Sequence, residues 1–319
     1  MMRLLKFVLL PVVIVVVLVG GMLYKKPLWM ADQVLLYKLK RVNVRSHFVT
    51  IPEGRIRYID GPADDDGNAV PLVLIHGLAG RSLDYTPLIP MFEENGFHVY
   101  ALDLLGYGGS DKPVSSDYSI ATEEQVVLHF MDAMHLKHAY VVGWSMGGWI
   151  ALKLALDAPQ RVDRIAVLDS AGITFVSDLD ASAMAPTDGA GVERLIRTMS
   201  PTMKVPPPFI QRDVIRWLGE QRWVVERSLN AMRGGKDIVD FKLASMQPPL
   251  VIVHGSQDAL IPPSVAESMH RMDPRSVYVS VLGCGHFAPM ECSQAVGKAT
   301  VAFFRAQPVM VGGELTVSH

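Results

Sequence analysis

Short apolar runs recur through the middle and end of the chain: LVLIH (72–76), HVYAL (98–102), AYVVG (139–143), RIAVLD (164–169), LVIVH (250–254) and VYVSVL (277–282). Nearly unbroken apolarity over so few residues fits strands buried on both faces, as in a parallel sheet covered by helices. Between the runs lie helix-like stretches, among them TPLIPMFEEN, ATEEQVVLHFMDAMH, GGWIALKLALDAP, SVAESMHRM and the segment near 291–306. Alternating strand and helix predicts an α/β fold with right-handed crossovers. Ahead of these, HFVTI and RIRYI predict two strands joined by a short turn, and GPADDDGNAVP an exposed loop.

The alternation fails between about Gly172 and Ser245. There PTMKVPPPFI precedes RDVIRWLGEQRWVVERSLNAMR, whose apolar and charged residues repeat at helical spacing. The pattern predicts a helical cap at about 173–245, inserted over the sheet. Its Met, Phe, Trp and Leu side chains fit two uses equally, lining an apolar pocket or packing helix on helix. Residues 307–319 read as an untied tail.

The N-terminus has a different pattern. From Phe7 to Tyr24 the chain runs 18 residues without a charge, with Arg3 and Lys6 before and Lys25 and Lys26 after. That length is near the lower limit for a membrane-spanning helix and exceeds the usual apolar stretch of a cleaved signal peptide, so residues 1–26 are expected to be a membrane anchor. A signal peptide is the alternative. Lys25, Lys26, Lys38, Lys40, Arg41 and Arg45 outnumber the cations before the span, a bias that puts the rest of the chain in the cytoplasm; a cleavable signal would reverse the side. Residues 27–46 form a basic amphipathic connector, able to lie on headgroups or to stand as a solvated helix.

Composition removes several classes. Hydrophobic residues make up 50% of 319, charged residues 19%, and the net charge is −2, which argues against disorder and against nucleic acid as a partner. The two cysteines, Cys284 and Cys292, are too few for a disulfide framework and are expected to be unpaired, with pairing in an oxidising compartment as the alternative. No metal-ligand spacing is present, and no metal or cofactor is expected.

The chemistry centres on Gly143-Trp144-Ser145-Met146-Gly147, between a strand-like and a helix-like run. A serine at such a turn holds a strained backbone, and a Cβ at either flanking position would collide with the opposed strand and helix. The glycines thereby permit an exposed hydroxyl. A serine nucleophile also needs oxyanion donors, which the backbone N–H groups of Met146, at a helix N-terminus, and Leu78, in LVLIHGLAG, can supply. His286, in GCGHFAP, would take the Ser145 proton and return it to the leaving alcohol; Asp258, after LVIVHG, would hold the ring tautomer. His76 reads as a loop support, His254 as a strand-end residue, Asp169 as an alternative acid, and the glycines after Asp103 as a tight structural loop. A cysteine nucleophile at Cys284 would leave Ser145 without a purpose.

HGLAG, LDLLGYGGSDKP, GWSMGG, HGSQDALIP and GCGHFAPME, in that order, resemble the α/β-hydrolase superfamily over about residues 47–306. The resemblance implies a mostly parallel sheet flanked by helices, with Ser145, Asp258 and His286 as nucleophile, acid and base. Epoxide hydrolases and haloalkane dehalogenases of this fold carry aspartate at the nucleophile position, and Ser145 argues against both. With the N-terminal span, the chain is similar to membrane-anchored serine lipases and esterases of the monoacylglycerol lipase type. That likeness implies a lipid-derived ester as substrate and the bilayer as partner. Carbon–carbon hydrolases and cofactor-free perhydrolases use the same triad and stay open, as does a non-catalytic binding protein on this fold.

Overall fold

The computed structural model describes residues 19–61, 69–176 and 181–318. They form one nine-stranded sheet: β1 (Arg45–Ile51), β2 (Gly54–Asp60), β3 (Val70–Ile75), β4 (Phe97–Leu102), β5 (Ala139–Trp144), β6 (Val162–Leu168), β7 (Leu250–Gly255), β8 (Val277–Leu282) and β9 (Glu314–Ser318). The order is β1-β2-β4-β3-β5-β6-β7-β8-β9. β1 and β2 form an antiparallel hairpin, β2 runs antiparallel to β4, and every pairing from β4 to β9 is parallel. The central strands are buried on both faces, Leu72–Ile75 and Ile165–Leu168 fully so, which is why they read as unbroken apolar runs rather than alternating ones.

Helices cover the sheet: α1 (Pro27–Arg41), α2 (Ile89–Glu94), α3 (Ile120–Ala133), α4 (Met146–Asp157), the longer cap helices α5 (Gly189–Met199), α6 (Pro208–Glu220) and α7 (Arg222–Arg233), then α8 (Pro263–Met272) and α9 (Ser293–Arg305), with a single helical turn at Ala181–Met184 opening the cap. The cap enters between β6 and β7, as its loss of strand signal predicts. Its long amphipathic stretch divides at Gln221, a buried residue between α6 and α7. Pro208 opens α6, where a missing N–H costs nothing.

One expectation meets a different outcome. Residues 307–319, read as an untied tail, contain β9, which extends the sheet beside β8 in register Tyr278↔Glu314 to Leu282↔Ser318. Its ELTVS sequence is largely exposed, so no apolar run announces it. In the connector at 27–46, α1 is largely exposed and packs one side on α6, where Leu28 N donates to Asp213 Oδ2 (2.9 Å); just before it, Tyr24 stacks on Phe209. The expected span, Phe7–Tyr24, lies mostly outside the described residues. Among those described, no helix is long and apolar enough to cross a membrane.

The strands' carboxyl ends set the location of the chemistry. Ser145 follows β5, Leu78 follows β3, Asp258 follows β7 and His286 follows β8. In an open α/β sheet this edge is where loops from separate strands converge on one crevice.

Candidate active site

Ser145 sits at φ 56°, ψ −118°, a conformation an L-residue rarely adopts. It persists because the surroundings leave no alternative. A Cβ on Gly147 would fall on the carbonyls of Ile75 and His76, and one on Gly143 on the carbonyl of Gly147. Glycine at both positions therefore lets α4 press against β3 and β5, and the pressed turn holds the serine out of the regular backbone.

The three expected side chains come together. His286 Nε2 lies 2.9 Å from Ser145 Oγ, and His286 Nδ1 lies 2.7 Å from Asp258 Oδ2. Asp258 Oδ1 accepts from the N–H groups of Leu260 (2.8 Å) and Ile261 (2.9 Å). A carboxylate can only accept, so Nδ1 carries the ring proton and Nε2 is left to accept from the serine hydroxyl. Ser145 is 8% exposed, His286 1% and Asp258 4%: the nucleophile alone reaches toward solvent, and the charge behind it is kept from water.

The rival residues take supporting places. His76 Nε2 accepts from Leu104 N (2.9 Å), so its Nδ1–H donates to Gly77 O (2.7 Å). Burial lowers its pKa and keeps it neutral as the brace of the 77–81 turn. Asp103 accepts from the N–H groups of Ser82 and Gly109, each at 2.7 Å. Burial would raise its carboxyl, but Arg57, 3.2 Å away, and the amide donors hold it below the ordinary value. His254 donates from Nε2 to Ile261 O (2.8 Å), and burial lowers its pKa. Asp169 accepts from Gly255 N (2.8 Å); burial, then the charge of Asp258, pushes its carboxyl well above the usual range. Asp169, His254 and Asp258 form the one group among the described residues close enough to share a cation. Asp258 is committed to His286 and two amides and His254 Nε2 to Ile261 O, while Asp169 Oδ2 and His254 Nδ1 are buried without a hydrogen-bond partner.

The expected free thiols are instead joined, Cys284 to Cys292. The turn through His286 and the short helix Ala288–Glu291 bring Cys292 back beneath Cys284, a proximity that a separation of 8 residues does not reveal. Other supports of the histidine also escape the sequence. His286 N donates to Met199 O (2.7 Å) at the end of α5, so the cap touches the base directly. Glu291 accepts from Gly285 N (2.7 Å), Thr202 Oγ1 (2.9 Å) and Ser200 Oγ, clamping the cap to the histidine loop. Trp144 Nε1 donates to His286 O (2.8 Å) and holds that loop from the nucleophile side.

Above Ser145 opens a cavity of about 390 Å3 whose wall includes Leu78, Met146, Trp149, Ile173, Leu229 and Ile238. The cap thus serves as pocket wall, and the same α7 packs inward through Val224 and Val225; both uses expected of its apolar residues are made.

The sequence model described as alpha/beta hydrolase fold matches residues 70–199. Lipase 3 of Moraxella sp. (strain TA144) is 24% identical over 85% of this chain and 88% of its own. 2-Hydroxymuconate semialdehyde hydrolase of Pseudomonas putida is 25% identical over 75% of this chain and 88% of its own. Among solved structures, a bacterial membrane phospholipase A superposes with a TM-score of 0.80 at 23% identity, covering 94% of this chain and 98% of that one. The protein has the α/β-hydrolase fold and is a serine hydrolase, esterase- and lipase-like, built on a Ser145–His286–Asp258 triad.

Proposed function

We propose that the protein hydrolyses carboxylic esters of lipid origin, such as monoacylglycerols, through an acyl-enzyme formed at a membrane surface. The observation that carries this reading is the apolar cavity placed directly over Ser145, of a size to take an acyl chain. Ser145 Oγ attacks the ester carbonyl as His286 Nε2 takes its proton. The Leu78 and Met146 N–H groups receive the oxyanion, and His286 returns the proton to the departing alcohol. Water then repeats the sequence on the acyl-enzyme. The 18 uncharged residues from Phe7 support a membrane anchor. So does α1, which exposes Trp29, Val34 and Tyr37 beside Lys38, Lys40 and Arg41, a face suited to headgroups.

A series of p-nitrophenyl esters from acetate upward, with monoacylglycerols alongside, tests the reading. Each methylene buried in the cavity is worth about 0.8 kcal/mol, roughly fourfold in kcat/KM, so activity should climb with chain length until the cavity is full. Acetate turned over as well as octanoate would sink the lipid assignment. The likeness to 2-hydroxymuconate semialdehyde hydrolase favours one rival, hydrolysis of a carbon–carbon bond in a dienone acid; turnover of such an acid without ester turnover would establish that rival.

The disulfide bears on the side of the membrane. Disulfides persist where the surroundings oxidise, which supports a catalytic domain on the exported face, against the charge bias around the span that favours the cytoplasm. Thiol alkylation of the protein taken directly from its cells should modify Cys284 and Cys292 only after reduction. Modification without reduction would return the domain to the cytoplasm.

A further inference from the structure

Arg81 closes the turn that carries Leu78, and nothing in the hydrolytic cycle uses it. Its guanidinium is nonetheless the meeting point of segments far apart in the chain. Nη1 lies 2.6 Å from Asp32 Oδ2 in α1, with both side chains only 18% exposed. The same guanidinium lies over Trp217 of α6, 5.2 Å from the ring centroid. Its backbone N–H donates to Asp84 Oδ2 (2.9 Å). The turn itself is tight: Gly80 N donates to Gly77 O (3.0 Å), and Ala79 is held at φ 58°. His76 secures it on the sheet side. On the other side, Gln221 reaches Ala79 O at 3.4 Å, a long contact; just past the turn Asp103 holds Ser82 N at 2.7 Å and Asp84 Oδ1 lies 3.8 Å from Arg81 Nε, and Arg81 is the side chain that joins the turn to α1 and the cap. Asp32 does not drift with a loose helix, because Leu28 N is tied to Asp213 Oδ2 on α6. Two charges largely removed from water stay paired only where their geometry is maintained, so the position of α1 and the position of the turn are linked.

We propose that the Asp32–Arg81 pair is a positioning device for the oxyanion site: through Asp32, the helix that precedes the hydrolase domain fixes the turn presenting the Leu78 N–H. The helix is then a working part of the active site as well as a tether. The inference rests on the acyl-enzyme reading, in which Leu78 is an oxyanion donor. Such a donor acts only within about 2.7–3.1 Å of the oxygen, and losing one outright costs roughly 100- to 1,000-fold in kcat. A donor displaced but not lost should cost less.

The test uses the full-length chain and a soluble short-chain ester, so that membrane contact does not enter. Asp32→Asn, Arg81→Met and the double variant are compared with wild type in kcat, in KM, and in the rate of fluorophosphonate labelling of Ser145, each per labelled site. Thermal midpoints are recorded alongside. Asp32→Asn and Arg81→Met are each expected to lower kcat and the labelling rate about tenfold with little change in KM, and the double variant to be no slower than either. A role confined to stability would lower the thermal midpoint and leave kcat per labelled site unchanged; that outcome overturns the inference, as do losses that multiply in the double variant. If Arg81→Met misfolds, Arg81→Lys decides by the same rates, since it keeps the charge and loses the planar fork and the Trp217 contact. A wild-type chain that does not label overturns the acyl-enzyme reading and this inference together. A labelled wild type with unchanged variants overturns this inference alone.

Discussion

Ser145→Ala and His286→Ala should each lower kcat for a p-nitrophenyl ester by about 10,000- to 1,000,000-fold, and the double variant should be scarcely worse than either. The reason is the shared proton. Ser145 Oγ, 2.9 Å from Nε2, becomes a strong nucleophile only as that nitrogen accepts its hydrogen. Removing the acceptor leaves a hydroxyl with no path to its alkoxide; removing the hydroxyl leaves a base with nothing to activate. Steady-state rates on folded protein, checked by fluorophosphonate labelling, read the effect. A His286→Ala enzyme within tenfold of wild type would mean that another group takes the proton. His254 is the buried imidazole nearest the triad's acid, 3.5 Å from Asp258 Oδ2, and its Nε2–H is already given to Ile261 O, so such a result would require a rearranged site.

The second large effect separates two carboxyls. Asp258→Asn should lower kcat by about 10,000-fold, whereas Asp169→Asn should change it by less than about threefold, within the roughly 1 kcal/mol of a neutral hydrogen bond. An amide at 258 can donate to Nδ1, which favours the tautomer with its proton on Nε2. That proton points at Ser145, and the nitrogen bearing it cannot accept from the hydroxyl. The imidazolium formed during attack also loses its counter-charge. Burial, then the charge of Asp258, pushes the Asp169 carboxyl up, and what it contributes is an acceptor for Gly255 N. An asparagine keeps that acceptor. Equal losses in the two variants would assign Asp169 a direct part in the proton relay. The pH dependence of kcat in Asp169→Asn provides a second reading, and it should follow that of wild type.

Much of this site was legible because its determinants are local. Gly143 answers a steric demand that arises within five residues, from the carbonyl of Gly147. At Gly147 the crowding comes from the carbonyls of Ile75 and His76, at the end of a neighbouring strand that is itself an unbroken apolar run.

Apolar continuity determined the parallel strands, chain order determined which loop carries serine, acid and histidine, and the loss of strand signal after Gly172 determined where the cap inserts. Each is a short-range pattern, written in consecutive residues by burial or backbone sterics. The tertiary structure alone decided the rest: the pairing of Cys284 with Cys292, the addition of exposed β9 to the sheet, the clamp of Glu291 on the cap, the bond from His286 N to Met199 O, and the meeting of Asp32 with Arg81. These join groups whose partners are fixed by how the chain folds back, and a polar side chain carries no mark of which distant donor or charge it will face. The sequence therefore specified the reacting atoms, while the packing of cap and N-terminal helix specified what holds them in place.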